Sequence, residues 1–134
     1  MQKPLRVVLD TNVLVSSLLA SGPPAAIVDL AADGGIIPFY NDSILQEYWD
    51  VLSRKKFGFS PFQVACLMHD IARIGIATET MQSFKKTITD KNDRIFYETV
   101  FASRAYLITG NIRHFPRDPF VVSPAQFLAI FHSN

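Results

Sequence analysis

The sequence predicts an α/β fold: a central, mainly parallel sheet of about five strands with helices on both faces. Three observations carry this. The opening Leu5-Arg6-Val7-Val8-Leu9 is a nearly unbroken apolar run that breaks at Asp10-Thr11-Asn12 before apolar spacing resumes, as when a strand buried on both faces hands over to a helix. Further along, short apolar runs alternate with stretches of helical periodicity, the signature of βαβ units. Lastly, Tyr106-Leu107-Ile108-Thr109 runs into Gly110-Asn111, repeating the arrangement of an apolar strand that delivers polar residues to its carboxyl end.

The elements follow in order. After Asp10, Asn12 to Ala20 reads as a helix closed by Ser21-Gly22-Pro23-Pro24, where Gly and paired Pro cannot continue it. A second helix spans about Ala25 to Ala32 and stops at Asp33-Gly34-Gly35. Ile36-Ile37-Pro38-Phe39-Tyr40 is short, apolar and bounded by turn residues, hence a strand, although Pro38 offers no N–H to a ladder. Asn41 or Asp42 caps the next helix, about Ser43 to Lys56. Gly58 and Ser60-Pro61 open a helix to Ile74 in which Phe62, Ala65, Cys66, Met68, Ile71 and Ala72 fall at helical spacing. Ile76 to Thr80 is a weak strand. A polar link leads to a helix from Asn92 to Arg104, a strong strand from Ala105 to Thr109, a short one from Phe120 to Val122, and a last helix opened by Ser123-Pro124.

The 134 residues suit a single domain, 1–134, and a content of 49% apolar and 19% charged residues argues against disorder. No apolar run approaches the roughly 20 residues needed to cross a bilayer, so a soluble, cytoplasmic protein without membrane attachment is expected. Cys66, the lone cysteine, cannot form an internal disulfide; set among apolar residues, it reads as a buried small hydrophobe. Charge is uneven: residues 1–53 carry six acids against Lys3 and Arg6, and residues 54–117 carry eleven Lys and Arg against five acids. A site that collects cations beside a surface that attracts polyanions would have this distribution, and so would ordinary solvated faces.

Polar residues in apolar settings mark the candidate chemistry. Asp10 lies at the carboxyl end of a central strand, where ligands gather in open α/β sheets. On the helix from Ser43, Ile44, Tyr48, Val51 and Leu52 form the apolar stripe, and Glu47 sits at its edge, partly desolvated. Asp93 heads the inward stripe of its helix with Tyr97 and Val100, at about 100° per residue, and the first-turn N–H groups favour its charged form. Asp90 precedes that helix as a cap, and Asn111 follows a strand as Asp10 does. Should Asp10, Glu47 and Asp93 converge, their repulsion raises their pKa values or calls for a cation. Oxygen ligands without Cys or a His pair select Mg²⁺ or Mn²⁺, which can bind and polarise a phosphodiester and supply the attacking hydroxide. An alternative, a phosphotransferase using Asp10 as nucleophile, would want a second Asp where Asn12 stands.

Four segments together resemble the PIN-domain family, in particular its compact bacterial and archaeal toxin components of toxin–antitoxin pairs: Val8-Leu9-Asp10-Thr11-Asn12-Val13, Ser43-Ile44-Leu45-Gln46-Glu47-Tyr48, Asp90-Lys91-Asn92-Asp93-Arg94-Ile95-Phe96 and Leu107-Ile108-Thr109-Gly110-Asn111. They span nearly the whole chain in the family's order. The resemblance implies a three-layer α/β/α sandwich and a ribonuclease that uses one or two Mg²⁺ or Mn²⁺ ions to hydrolyse single-stranded RNA. Its metal ligands map onto Asp10, Glu47 and Asp93, with Asn111 positioning water, metal or phosphate and Thr11, Asn12, Asp90 and Thr109 as supporting polar groups. Homodimers and a small antitoxin partner are further expectations of the family. Many members place Asp where this chain has Asn111, and an amide adds no charge, so a second ion would be held less tightly. A binding module without useful catalysis is the competing reading. Arg54-Lys55-Lys56, Lys85-Lys86, Arg113 and Arg117 are candidate phosphate contacts, with Arg113 nearest the site in sequence, and His114 reads as a loop histidine that could also contact RNA.

Overall fold

The computed structural model describes residues 3–81 and 83–133. Five strands form one all-parallel sheet: β1 (Leu5–Leu9), β2 (Ile36–Tyr40), β3 (Ile76–Ala77), β4 (Tyr106–Ile108) and β5 (Val121–Val122), in the order β3-β2-β1-β4-β5. The helices α1 (Thr11–Leu19), α2 (Pro23–Ala32), α3 (Asp42–Leu52), α4 (Pro61–Ile74), α5 (Lys91–Ser103) and α6 (Pro124–Ser133) complete the expected three-layer α/β/α sandwich. Val7, Val8, Leu9, Leu107 and Ile108 are almost wholly buried, as required of inner strands covered on both faces.

The inner strand β2 tolerates Pro38 because of where its neighbours begin. Pro38 pairs with Val7 of β1, but β3 pairs only with Phe39 and Tyr40, so no ladder bond is asked of Pro38 on that side. Gly75 brings α4 down to this point. A Cβ there would stand 2.4 Å from the Pro38 carbonyl oxygen and 2.7 Å from that of Ile71, so only glycine permits the approach.

Three expectations need correction. The helix from Ser43 stops at Leu52, and Lys55–Phe57 is a separate 3₁₀ turn closed by Gly58 at φ 70°. Beyond Leu52 the residues Ser53, Arg54, Lys55 and Lys56 are all exposed, so no packing sustains the helix. The strand from Ile76 ends at Ala77 rather than Thr80, since β2 ends at Tyr40 and Thr78 N–H takes its carbonyl, the last one offered, at 2.8 Å. Cys66 is exposed, not buried. α4 has apolar residues around its circumference and buries Val64, Leu67 and Ile71, leaving Phe62 79% exposed with Ala65, Cys66 and Ala72 outside. Periodicity alone does not choose between two such faces.

Candidate metal centre

The chain continues from β1 to β2 on one side, while β4, on the other side of β1, arrives only after β3. The strand order therefore reverses between β1 and β4, and a crevice opens at their carboxyl ends. Asp10 follows β1 at this point and Thr109 follows β4.

Asp10 is 7% exposed, and its backbone N–H donates to Ile108 O at 3.0 Å. Oδ2 of its carboxylate accepts from Thr109 Oγ1 at 2.8 Å and from Asn12 Nδ2 at 3.2 Å. Both donors are held in turn: Asn12 Oδ1 accepts the Gly110 N–H at 2.9 Å, and Thr109 Oγ1 accepts the Asn111 N–H at 2.9 Å. The two strand ends are thus laced together around one carboxylate. Burial pushes the Asp10 pKa up; the Thr109 bond opposes this, the charge of Asp93 adds to it, and contacts with the Thr11 backbone and Asn12 lower it again.

Glu47 is positioned by its neighbour. Tyr48, fully buried on α3, donates its hydroxyl to Leu9 O at 2.5 Å and so fastens the helix to the end of β1. The start of α3 is fixed by Asn41, whose side chain caps it at Ile44 N (3.0 Å) and donates to Thr99 Oγ1 of α5 at 2.8 Å. Partial burial raises the Glu47 pKa; Arg54 lowers it, while Asp50, Asp10 and Asp90 raise it.

Asp93 stands in the first turn of α5, half-buried. Burial raises its pKa, as does the charge of Asp90, and the adjacent His114 opposes both. His114 Nδ1 lies 3.5 Å from Asp93 Oδ2. Asp90 is the cap that the sequence suggested: its Oδ1 accepts from Asn92 N at 2.8 Å and Asp93 N at 3.2 Å. Asn111 is exposed and uses its backbone, not its amide, to join the network.

Asp10, Glu47 and Asp93 therefore come to one edge and influence one another's protonation, but among the described residues no three His, Cys, Asp or Glu side chains are close enough to enclose one ion. In donor chemistry they fit a hard divalent cation: carboxylates that resist their own charge, with no sulfur among them. Thr11 Oγ1 adds an independent sign, being buried beside Asp10 without a hydrogen-bond partner among the described residues. The sequence did not single out the hydroxyl of Tyr48, whose apolar spacing hides it, or Asn41 as a tie to α5.

The family model described as PIN domain matches residues 6–113. The chain belongs to the PIN domain family. This PIN domain also resembles an uncharacterized protein of Methanocaldococcus jannaschii, 28% identical over 111 residues that cover 80% of this chain and 71% of that protein. PIN domains are a nuclease-type fold, and their members are commonly nucleases, often ribonucleases that use divalent metal ions. Among the described residues of this one, no single helix is long and apolar enough to cross a membrane.

Proposed function

We propose that this PIN domain is a divalent-metal-dependent endoribonuclease that hydrolyses phosphodiester bonds of single-stranded RNA. The observation that carries the reading is the buried, hydrogen-bonded Asp10 at the β1/β4 crevice, its pKa raised by burial and by Asp93. Asp10, Glu47 and Asp93 are the residues that would hold Mg²⁺ or Mn²⁺, in one or two ions. When bound, such an ion polarises the phosphodiester and lowers the pKa of water, furnishing the nucleophile.

The chain's own groups do the rest. Thr109 and Asn12 fix the Asp10 carboxylate so that it need not reorganise. Thr11 supplies a hydroxyl with no other partner among the described residues. Asp90 holds the first turn of α5 and with it Asp93. Asn111, neutral and exposed, orients water or a phosphate oxygen by hydrogen bonding. In the same reading the protein is the toxin of a toxin–antitoxin pair, acting in the cytoplasm as a monomer or homodimer, with a small antitoxin protein as inhibitor. Family membership supports this role, and growth arrest on expression, relieved by a co-expressed short neighbouring reading frame, tests it.

The deciding experiment is cleavage of an end-labelled single-stranded RNA by wild type and Asp10→Asn with Mn²⁺, Mg²⁺ or EDTA, both proteins being shown to fold. Cleavage is expected to need metal and to disappear in the variant. An equally active Asp10→Asn protein overturns the assignment. The second reading, an RNA- or protein-binding module without catalysis, is favoured by Asn111 alone; RNA bound but never cleaved would select it.

A further inference from the structure

We propose that the pocket walled by Gly110, Asn111, Ile112, Arg113, His114 and Ser123 is an anion subsite that takes a backbone phosphate of RNA next to the scissile one. The identity of its ligand rests on the nuclease reading; its preference for an anion does not. The pocket measures about 320 Å³ and lies at the carboxyl ends of β4 and β5. Its polar side chains are a guanidinium, an imidazole, an amide and a hydroxyl, with no carboxylate among them. Such a lining offers donors and repels cations, the reverse of the carboxylates beside it.

The pocket is held before any ligand arrives. Gly110 N–H is bonded to Asn12, Asn111 N–H to Thr109, and His114 N–H to Asn111 O at 3.0 Å. Ser123 exchanges bonds with Gln126 at 2.9 and 3.1 Å, accepting at its hydroxyl oxygen, which leaves the hydroxyl proton to give. Arg113 is exposed and makes no ion pair among the described residues, so its guanidinium is available.

Its position beside the carboxylates sets the role. Asn111 and Gly110 each reach Asp10 through one intervening side chain, and His114 touches Asp93. The cation-seeking cleft and the anion-seeking pocket share these walls, so a chain seated in one continues into the other. A polymer with a charge on every unit meets both at once, and a phosphate held by Arg113 fixes the register of the bond presented to Asp10.

Amide chemical shifts of the whole chain, recorded in EDTA with inorganic phosphate and then with a single-stranded RNA tetranucleotide, test the proposal. Amides of Gly110 to His114 and of Ser123 are expected to shift saturably with both, the tetranucleotide saturating at lower concentration. Arg113→Gln should weaken phosphate binding about tenfold and reduce the salt slope for RNA by about one. Arg73→Gln, an equal loss of charge on α4, should leave both unchanged. Shifts that fail to saturate at these amides, or that survive Arg113→Gln, overturn the subsite, and a tetranucleotide that binds no tighter than inorganic phosphate overturns RNA as its ligand. The nuclease reading fails separately: these shifts in a protein that cleaves nothing uphold the subsite, and cleavage without the shifts removes it.

Discussion

Thr109 donates its hydroxyl to Asp10 Oδ2 at 2.8 Å and accepts the Asn111 N–H at 2.9 Å, so one buried side chain joins the ends of two neighbouring strands. Thr109→Val keeps the shape and removes both bonds. It is expected to cost about 1–3 kcal/mol by leaving the buried Asp10 carboxylate with the Asn12 bond alone. Binding of Mn²⁺ should weaken about 10–100-fold, the usual scale for groups that orient a metal ligand. Urea unfolding and titration calorimetry measure the two effects.

Protonation of Asp10 sets a pH dependence. Burial raises its folded pKa above that of a solvent-exposed Asp, so between those two values the folded chain holds the proton and the unfolded chain does not. Stability from this group is therefore lost as pH rises through that window. Asp10→Asn escapes the loss. In EDTA its melting temperature is expected to rise relative to wild type as pH goes from about 4 to about 7, a trend that calorimetry on both proteins detects. A constant difference across that range would contradict the burial argument.

Added Mn²⁺ should reverse that cost in the wild type. At a free concentration about 100 times Kd the folded state gains about 2.7 kcal/mol, and the midpoint climbs with metal concentration. Glu47→Gln is expected to be at least as stable as wild type without metal, since burial raises the Glu47 pKa too, and to lose most of this gain, which thermal melts with Mn²⁺ and with EDTA separate.

Tyr48→Phe leaves Leu9 O without the hydroxyl that reaches it at 2.5 Å. The expected loss is about 1–3 kcal/mol. Because the same bond sets α3 against β1, cleavage should fall as well, unlike the effect of an equally destabilising change elsewhere. Unfolding and activity measured on one preparation check this.

Gly75→Ala tests the packing of α4 against β2. The new methyl would stand 2.4 Å from Pro38 O, a contact that only a backbone shift relieves. A loss of about 1–3 kcal/mol is expected in chemical denaturation, with little change in metal affinity.

Local pattern explains what could be read from the chain alone. Leu9-Asp10 and Ile108-Thr109 each juxtapose a buried run with a polar residue, and that contrast survives in one dimension. The candidacy of Glu47 and Asp93 comes from helical spacing, which ties them to Tyr48 and Tyr97, and both tyrosines are buried. Cys66 was misplaced since α4 has apolar residues on opposite sides, and only docking decides which side is covered. The bonds of Tyr48 to Leu9 and of Asn41 to Thr99, and the contact of His114 with Asp93, join separate elements, so no spacing announces them.

The lacing of β1 to β4 also sets when, on the proposed reading, the Asp10 site is complete. The Thr109 donor to Asp10 lies 99 residues downstream in the chain. During synthesis, β1 can pair early with β2, but its other side waits for β4, and closing so long a loop is the slow part of assembling a parallel sheet. Until the ribosome has released that strand, Asp10 lacks both its hydroxyl donor and the far wall of the crevice. For a protein proposed to cut RNA, this delay keeps the blade unassembled while its own message is still being read.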